Sequence, residues 1–199
     1  GYGSLVNYLT DAGYETRGIY CDSSSIDLAN RLFPSANCSF QEAEALEQYP
    51  DESEDTIILK DSFHHLLHET DSVSDVFEQF ARILRPSGRI IIFDPNPNTI
   101  VRLARKMISH IDPCGYLADA KRVLGAAGFH IKSVKYYETI GLPLSGGYVG
   151  PRWIPNFRVM NSTVAVCNDT LSRSFQSLGL APRLCWRYIV SADLASEKE

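Results

Sequence analysis

No apolar run in this 199-residue sequence approaches the roughly 20 residues that cross a bilayer as a helix. That argues against a transmembrane enzyme. Basic residues do not dominate either. Lys and Arg number 19 against 24 Asp and Glu, a formal net charge of −5. The chain therefore lacks the basic footprint of a nucleic-acid binder. Cysteine is sparse: Cys21, Cys38, Cys114, Cys167 and Cys185 are odd in number, and none forms a C-x-x-C pair. Neither a zinc ribbon nor a disulfide scaffold fits that pattern. The expectation is reduced thiols in a cytoplasmic protein. Gly (13) and Pro (10) are ordinary in number, which excludes collagen-like and low-complexity classes. No signal peptide is visible, although the sequence opens on Gly1-Tyr2-Gly3 with no initiator Met.

What is present alternates. Thr56–Leu59 and Arg89–Phe93 are unbroken, Ile-rich runs, the pattern of strands buried on both faces of a parallel sheet. Between them Val73, Val76, Phe77, Phe80, Ala81 and Leu84 follow helical spacing. Ser72 with Asp75 supplies a start signal and Pro86-Ser87-Gly88 a stop. Strand, helix, strand with short connections is a βαβ unit. Upstream, Leu5, Tyr8, Leu9 and Ala12 make a short helix ended by Gly13. Tyr14–Cys21 reads as a strand, Ile26 to Phe33 as a helix stopped by Pro34, and Asn37–Phe40 as a brief strand. Downstream, Ile100 to Ile108 and Leu117 to Ala127 are helices, the second ended by Gly128. His130–Tyr137 and Cys185–Ser191 are the last strands. In the latter Trp186, Tyr188 and Val190 alternate, as an antiparallel or edge strand would.

One segment, 141–182, breaks the rhythm. It holds a single helical stretch with Met160, Val164, Leu171, Phe175 and Leu178, ended by Gly179. It reads as an insertion, so the expected organisation is one domain over 1–199, with a core of 1–140 and 183–192. The expected fold class is α/β, a doubly wound sheet. Ligands of such sheets bind at the carboxyl ends of the strands, so the residues after each strand are the ones to inspect.

Those residues form an ordered series: Gly1-Tyr2-Gly3 before the first helix, Gly18-Ile19-Tyr20-Cys21-Asp22 at the next strand end, and Gln41-Glu42-Ala43-Glu44-Ala45-Leu46. Lys60-Asp61-Ser62-Phe63-His64-His65-Leu66 and Leu84-Arg85-Pro86-Ser87-Gly88 follow. In order and spacing the sequence resembles the class I S-adenosylmethionine-dependent methyltransferases of the small-molecule type, over about residues 1–137 and again at the final strand. The resemblance implies a Rossmann-like, mostly parallel sheet with an antiparallel last strand. It also implies a first strand that this chain lacks, as if truncated at its glycine-rich loop.

The resemblance carries roles to particular residues. Gly1, Tyr2 and Gly3 would line the methionine part of S-adenosylmethionine. Tyr20 stands where the family places an acid for the ribose hydroxyls, with Asp22 two residues on. A phenol cannot accept both hydroxyls as a carboxylate does, so either Asp22 substitutes or the ribose is held more weakly. Glu42, with Ala43 beside it, would accept from the adenine amine. Lys60 and Asp61 would border the methyl-transfer site. The sulfonium is already a strong methyl donor, so the protein must chiefly align the reactants and exclude water. An oxygen or carbon nucleophile also needs a base, for which His65, His64 and Asp61 are the candidates.

Other readings stay open beside these. His64 and His65 begin a helix and can simply cap or pack. Asp61, His64 and His68 share a face, but the Glu of H-E-x-x-H is absent, so no metal is expected. Asp94-Pro95-Asn96-Pro97-Asn98 fixes a turn whose Asn residues can cap the next helix. Arg102, Arg105 and Lys106 read as a solvated face that could also meet an anionic substrate or lipid headgroup. The 141–182 insertion, with Tyr148, Trp153, Phe157 and a Gly146-Gly147 hinge, is the expected substrate cap. The expected activity is methyl transfer to a small organic acceptor, conceivably lipid- or glycan-linked. The alternative is a non-catalytic relative that binds a partner.

Overall fold

The computed structural model describes residues 3–20, 23–34, 38–69, 72–107, 114–145 and 151–195, with the side chains of 38–45 and 69 outside that description. The chain divides into two compact units, Gly1–Asp51 and Glu52–Glu199, and each is described by itself.

The first unit runs α1 (Ser4–Asp11), β1 (Thr16–Tyr20), α2 (Ser23–Leu32), β2 (Cys38–Glu42) and a 3-10 helix (Ala43–Gln48). β1 and β2 pair in parallel, Thr16 opposite Cys38 and Tyr20 opposite Glu42. Gly13 leaves α1 at φ 95°, a left-handed turn that a side chain would strain. The Thr10 and Thr16 hydroxyls and the Val6 carbonyl form a cluster in which one hydroxyl donates to the other and the second donates to the carbonyl, which ties α1 to β1. Among the described side chains the interior is small. Ala29 is fully buried, and Val6, Tyr20, Ile26 and Phe33 pack around it. α1 buries none of its own residues fully.

The second unit runs β3 (Glu54–Lys60), α3 (Phe63–Glu69), α4 (Val73–Ile83), β4 (Leu84–Pro95), α5 (Thr99–Met107) and α6 (Leu117–Ala126). It continues through β5 (Phe129–Tyr137), α7 (Gly141–Ser145), α8 (Arg158–Ser177), α9 (Ala181–Leu184) and β6 (Arg187–Leu194). Its four-stranded sheet has the order β3-β4-β6-β5. β3 and β4 are parallel, and β6 is antiparallel to both β4 and β5. Because β6 runs backwards, its first residue lies on the edge where the other strands end: Arg187 stands opposite both Pro95 and Tyr137.

Local signals explain the elements. The Ser72 hydroxyl accepts from the Asp75 amide at 3.3 Å and caps α4, a contribution of about 1 kcal/mol. Phe77, Phe80 and Ile83 are the buried face of that helix. Asn98 accepts from the Val101 amide at 2.9 Å and caps α5. Gly128 and Gly179 follow α6 and α8 at positive φ. With Ile90, Ile92, Leu124, Tyr188 and Val190 at zero exposure, the core lies against the middle of the four-stranded sheet.

Two expectations need correction. β3 is not buried on both faces: Leu59 is buried but Ile58 is exposed, because among the described residues β3 pairs with β4 alone. The antiparallel alternative for β6 holds: it is an inner strand, and β5 takes the edge. α4 already ends at Ile83, before Pro86-Ser87-Gly88. Gly88 serves instead for close approach, since a Cβ there would stand 2.7 Å from the Arg85 carbonyl oxygen. Chain continuity does not need those residues as a stop, because Leu84 is already extended, with ψ 138°.

Candidate active site

The end of β3 delivers the motif Lys60-Asp61. Asp61 bends into the left-handed region, φ 54°, and its amide donates to the Phe93 carbonyl on β4 at 2.9 Å. The turn presents its carboxylate to two cations, the Arg187 guanidinium and Lys60 Nζ, the latter at 3.1 Å. Arg187 also donates from Nε to Glu138 Oε2 at 2.7 Å, and its guanidinium carbon sits 4.9 Å from the Phe93 ring centroid. Glu138 follows β5 and is itself left-handed, φ 69°. Two non-glycine residues thus hold strained backbones, each costing about 1 kcal/mol or more, around one arginine that is 5% exposed. The guanidinium suits this position, because its planar fork can serve two carboxylates while its face lies on an aromatic ring.

A second buried pair lies behind α3. His64 Nδ1 meets Asp94 Oδ1 at 2.9 Å, with 4% and 0% residue exposure. Asp94 Oδ2 has no hydrogen-bond partner and faces Gly115, where a Cβ would stand 3.1 Å from it and 2.9 Å from the Phe63 ring. Tyr188 donates to the Gly115 carbonyl at 3.1 Å. Burial pushes its phenol far up, and Asp94 adds to the shift. His65 is half-buried and stacks on His64, centroids 4.3 Å apart and planes at 36°. Of the three candidate bases, His64 lies in the interior, Asp61 is held by cations, and His65 stands between interior and solvent. His68 is exposed, and no three His, Cys, Asp or Glu side chains among the described residues are grouped to hold a metal.

The loop after β4 is structural in its contacts. Asn96 donates to the Pro182 and Cys185 carbonyls at 2.9 Å, and Asn98 to the Cys185 carbonyl at 2.7 Å, which fastens α5 to the run into β6. Above β5, Asn168 of α8 accepts from the amides of Thr139, Ile140 and Gly141 at 2.8, 3.1 and 3.0 Å. One end of the insertion is thereby pinned beside Glu138. Trp153 and Phe157 are exposed, while Gly146, Gly147 and Tyr148 lie outside the described residues.

In the first unit, Gly3 is left-handed, φ 89°, and caps α1 without any side-chain hydrogen bond. The first-turn amides of α1 have no side-chain cap, which fits a carboxylate such as that of the cofactor's methionine part. The Tyr20 ring packs around Ala29 in the small core. Gly1, Tyr2 and Asp22 lie outside the described residues. Glu42 ends β2 and Ala43 begins the 3-10 helix, with their side chains likewise outside the description. Among the described thiols, Cys114, Cys167 and Cys185 are free.

Sequence reasoning missed Arg187 and Glu138. The sequence shows only an arginine that opens β6 and an acid directly after β5, with no local feature that separates them from solvated charges.

Residues 1–92 match the profile of a methyltransferase domain family. A SAM-dependent methyltransferase from Archaeoglobus fulgidus shares the fold at TM-score 0.66 and 16% identity, over 97% of this chain and 82% of that one. A SAM-dependent methyltransferase from Methanosarcina mazei does so at 0.60 and 15%, over 99% and 90%. The [4+2]-cyclase SpnF is similar at 0.58 and 15%, over 98% and 72%. No curated protein sequence matches this chain significantly. The match over residues 1–92 and the shared fold make the chain similar to S-adenosylmethionine-dependent methyltransferases.

Proposed function

We propose that the chain transfers a methyl group from S-adenosylmethionine to a small organic acceptor. The observation that carries this reading is the methyltransferase-domain match over residues 1–92, which runs through Lys60–His65, residues that sit at the carboxyl end of β3. When bound, the cofactor supplies a methyl group on positively charged sulfur, ready for in-line displacement. Gly1, Tyr2 and the uncapped start of α1 at Gly3 hold its amino-acid part. Tyr20 or Asp22 meets the ribose, and Glu42 with Ala43 meets the adenine. Lys60 borders the cofactor, and Asp61 is kept in place by Arg187.

His65 takes the acceptor's proton, on a ring whose orientation is set by its stack on His64, which Asp94 in turn fixes. His64 therefore acts as a positioning residue. The 141–182 insertion selects the acceptor.

Calorimetric titration of the folded chain with S-adenosylmethionine tests the first half of this reading. Heat of binding is expected, and Glu42→Ala should weaken it roughly tenfold, the loss of one charged hydrogen bond. A folded sample without binding heat sinks the proposal and favours the partner-binding alternative. His65→Asn should lower methyl-transfer rate about 100-fold or more with cofactor affinity unchanged.

A further inference from the structure

Helix α5 faces two ways. Val101 is buried, Asn98 caps the start and bonds the Cys185 carbonyl, and the helix packs against α9. Its outer side carries Ile100, Leu103 and Met107, exposed by 41%, 59% and 78%. Helix geometry puts these three within an arc of about 60°. Arg102 and Lys106, both exposed, border the stripe on one side. The helix holds three cations, with Arg105, and no acid in a chain whose net charge is −5. Exposed Arg183 on the neighbouring α9 has the same sign.

An apolar stripe edged by cations is the pattern of a helix that lies in the plane of a membrane surface. The long basic side chains can reach up to phosphate while the stripe enters the acyl boundary. A second copy of this chain fits less well, because a two-fold contact would bring these cations together. The acidic remainder of the protein would be repelled by a negative surface, so α5 is the side that can approach one.

We propose that α5 seats on an anionic lipid surface, with Ile100, Leu103 and Met107 in the bilayer boundary and Arg102 and Lys106 among the headgroup phosphates. The contact is peripheral: no described helix is long and apolar enough to cross a membrane. It is also independent of methyl transfer.

Flotation of the full chain with lipid vesicles tests it. The chain should rise with phosphatidylcholine vesicles that contain phosphatidylglycerol, stay behind with pure phosphatidylcholine, and be released by high salt. Arg102→Gln with Lys106→Gln should lower the partition roughly thirtyfold, at a factor of about five per cation. Leu103→Ser with Met107→Ser should lower it about tenfold or more with every charge retained. All four side chains are exposed, so circular dichroism should not change. Equal flotation on both vesicle types, none on either, or indifference to the Leu103/Met107 variant overturns the proposal. So does a lipid-free dimer that this variant dissolves, which would make the face a self-interface. Cofactor titration of the same sample reports on the methyltransferase reading separately.

Discussion

The two units are built on opposite terms. In the second, Phe63, Phe77, Ile90, Ile92, Leu124, Tyr188 and Val190 are all sealed from solvent. Among the described side chains of the first, Ala29 is sealed with four partly buried neighbours around it, and Tyr49 is nearly so. Apolar burial contributes about 25 cal/mol per Å2, so the second unit carries most of the stability. The first unit, with a pair of strands and a helix that buries nothing fully, is the part that opens most readily. The proposed labour is divided the same way. The residues assigned to the cofactor's amino acid, ribose and adenine come from the loosely packed unit, and the ion cluster and the histidines come from the dense one. A rigid frame suits groups that must hold a proton acceptor in place, whereas a ligand can itself supply order to a weak grip.

Equivalent truncations should expose that asymmetry most strongly. Phe77→Ala should cost about 3–5 kcal/mol in urea unfolding, and Phe33→Ala in the first unit less than half as much. Equal losses would break the comparison. Next, His64→Leu should cost about 3 kcal/mol, since it leaves Asp94 buried and unpaired; restored stability in the double variant His64→Leu, Asp94→Leu would confirm the cause. Third, hydrogen exchange should be faster in β1 and α2 than in β4 and β6. A hundredfold excess of S-adenosylmethionine over its dissociation constant should then slow the first unit by up to about 2.7 kcal/mol. Uniform slowing across both units would erase the proposed division. The smallest effect concerns acid. The hydrogen bond from Arg89 holds the Asp193 carboxyl below its ordinary range, with Lys132 adding to it. A depressed folded value means the stabilisation is present above the unfolded pKa of ~3.9 and is lost as pH falls through the folded one. Asp193→Asn should therefore flatten the acid limb of the second unit slightly, because the pair is near solvent.

Much of this architecture is legible in the sequence. The six described strands and the caps at Ser72 and Asn98 follow from period and local chemistry, because each signal lies within a few residues of its effect. The order β3-β4-β6-β5 came from the family resemblance only as far as an antiparallel last strand. The ion cluster was not legible at all. Arg187 and Asp61 are 126 positions apart, and no local pattern distinguishes a strand-opening arginine that will be buried from one that will be solvated. His64 and His65 are adjacent and chemically identical in sequence. Only the packing of α3 sends one to Asp94 and leaves the other half-buried.

The reversed direction of β6 has a consequence in time. Lys60, Asp61 and Glu138 leave the ribosome long before the arginine that gathers them, and β4 and β5 stand as unjoined neighbours until the final strand slides between them. A nascent chain stalled short of residue 187 therefore carries Lys60, Asp61 and Glu138 without the arginine that joins the two acids. Synthesis must pass residue 187 before that ion cluster can form.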